Sequence, residues 1–212
     1  MLGHGKRMGY IRTGLIAALV AVGSPLAQTQ AGPAGASPDA AILQKWKQPI
    51  PPLALKDLQG RPRSLKEWRG KVLVVHFWAT WCEPCVAEMP TLMRLKTEMR
   101  DEPFEVVTVN LGEADARIRD FYGKLGVDFV TLLDRDGDAK KQWRVGGVPM
   151  SFVLGADGRA RYRYFGEIDW TSAEIGAKFA PLMREARRLQ KPAVTSATKS
   201  EPGTATAPRN TG

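Results

Sequence analysis

The chain has 212 residues, of which 43% are hydrophobic, and a formal net charge of +9. It contains only two cysteines and two histidines. A structural zinc site needs about four ligands, so the sequence predicts neither a metal centre nor a cofactor. No nucleic-acid-binding motif accompanies the basic charge, and we therefore expect no nucleic-acid partner.

Residues 1–31 are predicted to be a signal peptide or an N-terminal membrane anchor. Lys6, Arg7 and Arg12 precede an apolar run at 13–23, which is shorter than the ~20 residues that cross a bilayer. Pro25 follows the run, and the pattern favours a cleaved signal over an anchor. Either one predicts an extracytoplasmic, periplasmic location with possible membrane association through the N-terminus.

Composition divides the rest of the chain into three parts. Residues 32–50 begin with glycine, proline, alanine and serine and are predicted to be a linker. Residues 51–191 carry regular apolar patterns and are predicted to form one domain. Residues 192–212 lack periodicity and are predicted to be a disordered tail.

Apolar periodicity predicts the elements of the domain. The segment 53–58 is extended and turns at 59–60. The following elements are expected in chain order: a buried strand at 71–78, a helix at 84–100, a strand at 104–110, a helix at 114–125, a strand at 129–133, a short helix at 139–143, a hairpin of 151–154 with 160–165, and a last helix striped from Ile175 to Leu189. This order predicts an α/β domain with a mixed sheet and helices on both faces.

The two cysteines stand in one run, Trp81-Cys82-Glu83-Pro84-Cys85, between the buried strand and the first long helix. Unpaired N–H groups and the helix dipole at a helix N-terminus favour a thiolate. We therefore expect a redox-active disulfide, with Cys82 as the exposed attacking sulfur and Cys85 as the covered resolving sulfur. A Cu(I) clamp and a structural staple are the alternatives.

The residues beside the cysteines support this chemistry. Pro84 suits the first helical turn, where a missing N–H costs nothing. Glu83 places a negative charge next to Cys82 and makes its thiolate harder to form, which predicts an electron donor. Trp81 is expected to be an apolar platform on which partner proteins dock.

These motifs resemble the thioredoxin superfamily, and more narrowly its TlpA/ResA-like (DsbE/CcmG-type) extracytoplasmic thiol-disulfide oxidoreductases. The resemblance runs from about 51 to 189. It is carried by the segments 53–60, 65–70, 76–85 and Gly146 to Leu154. It implies a thioredoxin-like fold with an N-terminal extended or hairpin extension.

The resemblance also implies roles for three more residues, and the sequence departs from the family pattern at a fourth, His76. Pro149 is expected to be a cis-proline facing the cysteines, and the backbone of Val148 to pair with a substrate chain. Glu88, one turn after Cys85, is expected to tune the thiol pKa. His76 occupies the position where many thioredoxins carry a buried acid, and it is a weaker site candidate.

The sequence therefore predicts a protein-disulfide reductase. Its partners would be disulfide-bearing proteins and an upstream membrane electron donor. Cytochrome c maturation and assembly of an oxidase copper centre are the expected processes. A Cu(I)-binding protein is one alternative. A thioredoxin-like peroxidase is the other, although its threonine three residues before the reactive cysteine is absent, since Ala79 precedes Cys82 at that spacing.

Overall fold

The computed structural model describes residues 43–191. The predicted leader at 1–31, most of the predicted linker and the predicted tail at 192–212 lie outside the described residues. Within 43–191, no helix has the length and apolarity needed to cross a membrane.

The described chain forms a six-stranded sheet, a small hairpin and five helical segments. The strands are β1 (Gln44–Lys45), β2 (Ala54–Lys56), β3 (Pro62–Ser64), β4 (Val72–Trp78), β5 (Phe104–Leu111), β6 (Val130–Asp134), β7 (Met150–Leu154) and β8 (Ala160–Phe165). The helices are a 3₁₀ turn (Leu65–Trp68), α1 (Glu83–Glu98), α2 (Asp115–Leu125), α3 (Asp138–Gln142) and α4 (Ala173–Gln190). The strands and helices predicted from 71 onward are confirmed to within one or two residues at most of their ends.

The sheet is mixed, with the strand order β1-β8-β7-β4-β5-β6. Strands β4, β5 and β6 are parallel, whereas β7 and β8 run antiparallel to their neighbours. Strands β2 and β3 form a separate antiparallel hairpin. The predicted thioredoxin-like α/β fold with a hairpin extension is confirmed.

Strand β4 is buried on both faces, as its continuous β-branched and apolar run requires. Val72, Val74 and Trp78 join a core with residues of α1, α2 and α4. Leu73, Val75 and Phe77 join a second core with residues of the 3₁₀ turn and α3. Helical segments therefore cover both faces of the sheet.

The topology brings several loops to one end of the sheet. Strands β4 and β5 are parallel, so both end there, with Trp78 opposite Asn110. Antiparallel β7 begins at that end, with Met150 opposite Phe77, and β8 finishes there, with Phe165 opposite Met150. The cysteine loop leaves β4 at this same end.

Two predictions about the ends of the domain need correction. Gln44 and Lys45, assigned to the linker, pair with β8 because Leu43 is buried and Trp46 stacks under the Arg163 guanidinium at 4.2 Å. Leu189, assigned to the apolar stripe of the last helix, is 59% exposed. The last turn of α4 contributes no buried residue, and the stripe ends at Ala186.

Candidate active site

Cys82 and Cys85 form a disulfide at the start of α1, and their Cα atoms are 5.2 Å apart. Cys82 is the N-cap of the helix, with extended backbone angles, and its Sγ accepts the Cys85 N–H at 3.3 Å. Pro84 lies in the first turn as predicted. A Cys82 thiolate at this cap would face the same unpaired N–H groups and the positive end of the helix dipole.

Cys82 is less accessible than the sequence predicted. It is 5% exposed, whereas Cys85 is fully covered. The expected order of exposure is confirmed, but the expectation of an exposed Cys82 is wrong. In the disulfide form the cap residue packs into the core beneath α1, and its neighbours Trp81, Glu83 and Pro84 remain exposed.

Val148 and Pro149 precede β7 at the same end of the sheet. The peptide bond between them is cis, as the resemblance implied. Pro149 is buried, and its carbonyl accepts the Gly166 N–H at 3.0 Å, which ties this turn to the end of β8. Val148 is half-buried and borders both cores.

Glu88 is buried on the sheet side of α1, where it is 1% exposed. Its Oε2 accepts the Trp170 Nε1–H at 3.0 Å and the Ile168 N–H at 3.2 Å. Both donors come from the loop between β8 and α4. Glu88 is therefore not the solvated helix residue that a glutamate in such a position usually is.

His76 on β4 faces Glu88. Its Nε2 lies 3.5 Å from Glu88 Oε1, and its Nδ1 lies 2.9 Å from Ser151 Oγ on β7. Both side chains are fully buried. The carboxyl group that faces His76 therefore belongs to Glu88 on α1.

Burial shifts the pKa values of these two groups in opposite directions. Desolvation raises the pKa of Glu88 from 4.5 to about 8, although its hydrogen bonds with Trp170 and Ile168 partly oppose this, while Glu167 adds repulsion. Desolvation lowers the pKa of His76 from 6.5 to about 3. At neutral pH the 3.5 Å contact therefore joins two neutral groups and is not an ion pair.

A half-buried carboxylate, which the sequence analysis missed, holds the cysteine loop in place. Glu113, just after β5, accepts the Thr80 N–H at 2.7 Å and also the Thr80 hydroxyl. Asn110 donates to the same carboxylate at 2.8 Å, and Arg117 lies 3.2 Å from it. The available signal was position, since the ends of neighbouring parallel strands meet at one edge of a sheet.

Exposed apolar side chains flank the disulfide end of the sheet. Trp81 is 64% exposed and Phe165 is 61% exposed. Phe165 stands against Gly147, where an added Cβ would meet its ring at 2.9 Å. The exposed ring of Trp81 is compatible with the docking role expected from the sequence, and Phe165 is a second exposed ring that the sequence analysis did not identify.

Comparisons with known proteins agree with this architecture. The thiol-disulfide oxidoreductase ResA of Geobacillus thermodenitrificans is 32% identical over 111 residues, which are 52% of this chain and 64% of that protein. ResA of Bacillus thuringiensis (strain Al Hakam) is 30% identical over 117 residues, which are 55% of this chain and 68% of that protein. The chain thus spans about two thirds of the length of these curated relatives.

The likeness extends to solved structures and to a family. The crystal structure of a secreted thiol-disulfide isomerase from Corynebacterium glutamicum matches with a TM-score of 0.59 at 21% identity, and covers 70% of this chain and 96% of that one. This match shows the fold. The model of the family described as Redoxin matches residues 45–178, well over half of the chain. The chain belongs to the Redoxin family, as a thioredoxin-superfamily protein of the TlpA/ResA-like type.

Proposed function

We propose that this chain is an extracytoplasmic thiol-disulfide oxidoreductase that reduces protein disulfides. The observation that carries the proposal is the Cys82–Cys85 disulfide at the N-terminus of α1, at the same end of the sheet as the cis-proline turn. The relatives named thiol-disulfide oxidoreductase support it.

The first step uses the reduced protein. The Cys82 thiolate attacks one sulfur of the substrate disulfide, forms a mixed disulfide with it and releases the other substrate sulfur as a thiolate. The Cys85 N–H, which already reaches Cys82 Sγ, stabilises the attacking thiolate. Trp81 and Glu83, the neighbours of Cys82 in the chain, are exposed, and we infer that the substrate approaches along this side of the loop.

The second step closes the cycle. Cys85 loses its proton and attacks Cys82 Sγ, which re-forms the intrachain disulfide and releases the second substrate sulfur. Two electrons pass to the substrate, which gains two protons and leaves as a dithiol. A separate electron donor then reduces the Cys82–Cys85 disulfide. The negative charge of Glu83 beside Cys82 disfavours the thiolate and supports the reducing direction.

The exposed apolar residues favour a protein rather than a small-molecule substrate. Trp81 and Phe165 present large unburied rings at the reactive end, and exposed apolar area at a functional end is typical of a docking surface. In the proteins that this chain resembles, the backbone at the position of Val148 pairs with the extended substrate chain. We infer that a disulfide-bearing polypeptide lies across this surface.

The location, the electron donor and the substrates are inferred from the predicted signal peptide or anchor at 1–31 and from the family resemblance. We propose a periplasmic location, a membrane-bound electron donor, and substrates among apocytochrome c or the cysteines of an oxidase copper centre. Glu88 is proposed to tune the thiols, since its buried carboxyl lies one helical turn from Cys85.

Trapping of mixed disulfides tests the proposal. Cys85→Ser removes the sulfur that resolves the mixed disulfide at Cys82. The full chain expressed in a bacterial cell envelope should therefore accumulate covalent adducts that dithiothreitol releases. The double variant Cys82→Ser/Cys85→Ser is the matched control and should trap none. Purified wild-type chain should also reduce insulin disulfides. Tight stoichiometric Cu(I) binding without exchange or adducts would instead support the copper-binding alternative.

A further inference from the structure

Two buried polar atoms face each other between β4 and α1, and one of them belongs to Glu88, one helical turn after Cys85. Glu88 Oε1 and His76 Nε2 have no conventional hydrogen-bond partner among the described residues, and they are 3.5 Å apart. Leaving two buried polar atoms unsatisfied destabilises the folded state, because each has lost its hydrogen bonds with water. One proton placed between the two atoms satisfies both, because one then donates and the other accepts.

The remaining atoms of the pair restrict where that proton can be. Glu88 Oε2 already accepts two N–H groups, so a proton on the carboxyl must be on Oε1. His76 Nδ1 is hydrogen-bonded to Ser151 Oγ, which can donate or accept as its hydroxyl rotates. The imidazole can therefore take either tautomer without losing its partner on β7.

We propose that His76 and Glu88 form one proton site, which holds a proton while Cys82 and Cys85 are bonded and gives it to Cys85 when the disulfide is reduced. The inference rests on the proposed disulfide chemistry and adds His76 as the positioning residue that lets Glu88 change charge.

The protons balance in both states. With the disulfide formed, the Glu88 carboxyl is protonated on Oε1 and donates to His76 Nε2, and His76 Nδ1–H donates to Ser151. On reduction, two electrons from the donor break the S–S bond, and the Cys85 sulfur takes one proton from the pair. Glu88 is then a carboxylate that accepts Nε2–H, and the Ser151 hydroxyl turns to donate to Nδ1. The proton of the Cys82 thiol, when present, comes from solvent.

This arrangement keeps every polar atom satisfied in both redox states. The carboxylate of the reduced state accepts three N–H groups, from Trp170, Ile168 and His76. A carboxylate with two or three such donors is stabilised even when buried. An apolar residue at position 76 would leave only two donors and no acceptor, so Glu88 could not switch.

Other titratable and polar groups lie near the pair on the elements that pack against it. Glu167, in the loop after β8, is the charged group that acts on Glu88, and it favours the protonated carboxyl. Tyr164 on β8 lies opposite Ser151, and Cys82 and Cys85 lie on the helix of Glu88 itself. Thr108 of β5, which pairs with His76 of β4, is hydrogen-bonded to Tyr122 and Thr131. Among these groups, reduction changes only the cysteines directly.

Nuclear magnetic resonance of the ¹⁵N-labelled wild-type chain tests the inference without any substitution. The proton of His76 should be on Nδ1 in the disulfide form and on Nε2 after reduction with dithiothreitol, at one neutral pH. The same tautomer in both forms would overturn the proposal.

Infrared difference spectra between the two forms provide a second readout. Reduction should remove the carbonyl stretch of about one protonated carboxyl per chain, and Glu88→Gln should abolish that change. His76→Leu should also abolish it, whereas His76→Asn, whose amide can donate or accept after turning over, should retain it. A change that persists in His76→Leu, or that is lost equally in both variants, would show that His76 has only a packing role.

These measurements are separate from the proposed function. Dithiothreitol reduces the disulfide whether or not a protein substrate exists, so a tautomer switch in a chain that reduces no insulin would refute the function and leave the proton pair standing. Insulin reduction without a change of the His76 tautomer would support the proposed function and refute the proton pair.

Discussion

The two faces of β4 differ in one residue type, and that difference separates stability from chemistry. On one face Leu73, Val75 and Phe77 are all apolar and pack against the 3₁₀ turn and α3. On the other face an otherwise apolar row is interrupted by His76, which lies under the helix that carries both cysteines. A buried polar residue is costly unless it is satisfied, so its presence on only one face marks the side on which the reaction occurs.

The largest effect is expected from loss of the reactive sulfur, which should abolish activity without unfolding the protein. Cys82→Ser removes the nucleophile, and thiol-disulfide exchange should fall to background while the fold is retained. Insulin reduction and thermal unfolding measure the two quantities. Cys85→Ser is the matched control, because it should still attack once and stop at the mixed disulfide. Turnover by Cys82→Ser above that of the double variant would contradict the assignment.

The scaffold face should respond in the opposite way. Phe77 is fully buried, with ring contacts to Trp143 at 5.6 Å and Phe152 at 6.2 Å. Phe77→Ala should reduce the free energy of unfolding by about 3–5 kcal/mol, measured in urea. The pH dependence of Cys82 alkylation in the folded protein should be unchanged. A shifted alkylation profile would show that the two faces are not independent.

The reactive face should make stability depend on pH. The folded state keeps a proton on Glu88 up to about pH 8 that the unfolded chain releases near 4.5, so this group's contribution falls as pH rises through that window. Buried His76 remains neutral down to about pH 3, whereas in the unfolded chain it is protonated below 6.5, so its contribution falls as pH decreases. The opposite effects of Glu88 and His76 on the free energy of unfolding cancel between pH 4.5 and pH 6.5.

Above pH 6.5 only the Glu88 slope remains. The disulfide form should lose about 2 kcal/mol of unfolding free energy between pH 6.5 and 8, measured by urea denaturation at several pH values. Glu88→Gln should remove this slope, and Glu98→Gln, an exposed residue of the same helix, should keep it. An equal slope in Glu88→Gln would place the titrating group elsewhere.

The smallest effect on stability is expected at the exposed ring. Trp81→Ala should change the free energy of unfolding by no more than about 0.5 kcal/mol, because the side chain is 64% exposed. It should raise KM for a protein disulfide while leaving the reaction with a small disulfide such as oxidised glutathione unchanged. Leu189→Ala, which truncates another exposed apolar side chain, is the control. An equal loss of activity with both substrates would mean that Trp81 affects the reactivity of the Cys82 thiol and not the docking of a protein substrate.

Local pattern was enough to predict much of this molecule. Strand β4, helix α1 and the last hairpin follow from apolar periodicity and turn residues, and the cysteine pair follows from its place between a strand and a helix. The cis bond before Pro149 came from resemblance, and the structure has it.

Features that depend on distant contacts were not predictable from pattern. Burial of Glu88 requires donors 80 and 82 residues further along, and the Glu113 contact with Thr80 spans 33 residues. A two-residue strand such as β1 has no periodicity to read, and it forms because β8 offers it an edge. Cys82 is covered because its disulfide packs it against the core, which a helix-start pattern does not reveal.

The central claim is that Cys82 and Cys85 are a working redox couple that donates electrons. Equilibration of the purified chain in dithiothreitol and glutathione buffers, followed by counting free thiols, tests it most directly. We expect one two-electron transition that involves both cysteines, at a potential well below the ~−120 mV of a strong periplasmic oxidant. A pair that stays inert in both buffers, or that titrates near that oxidant's value, would contradict it.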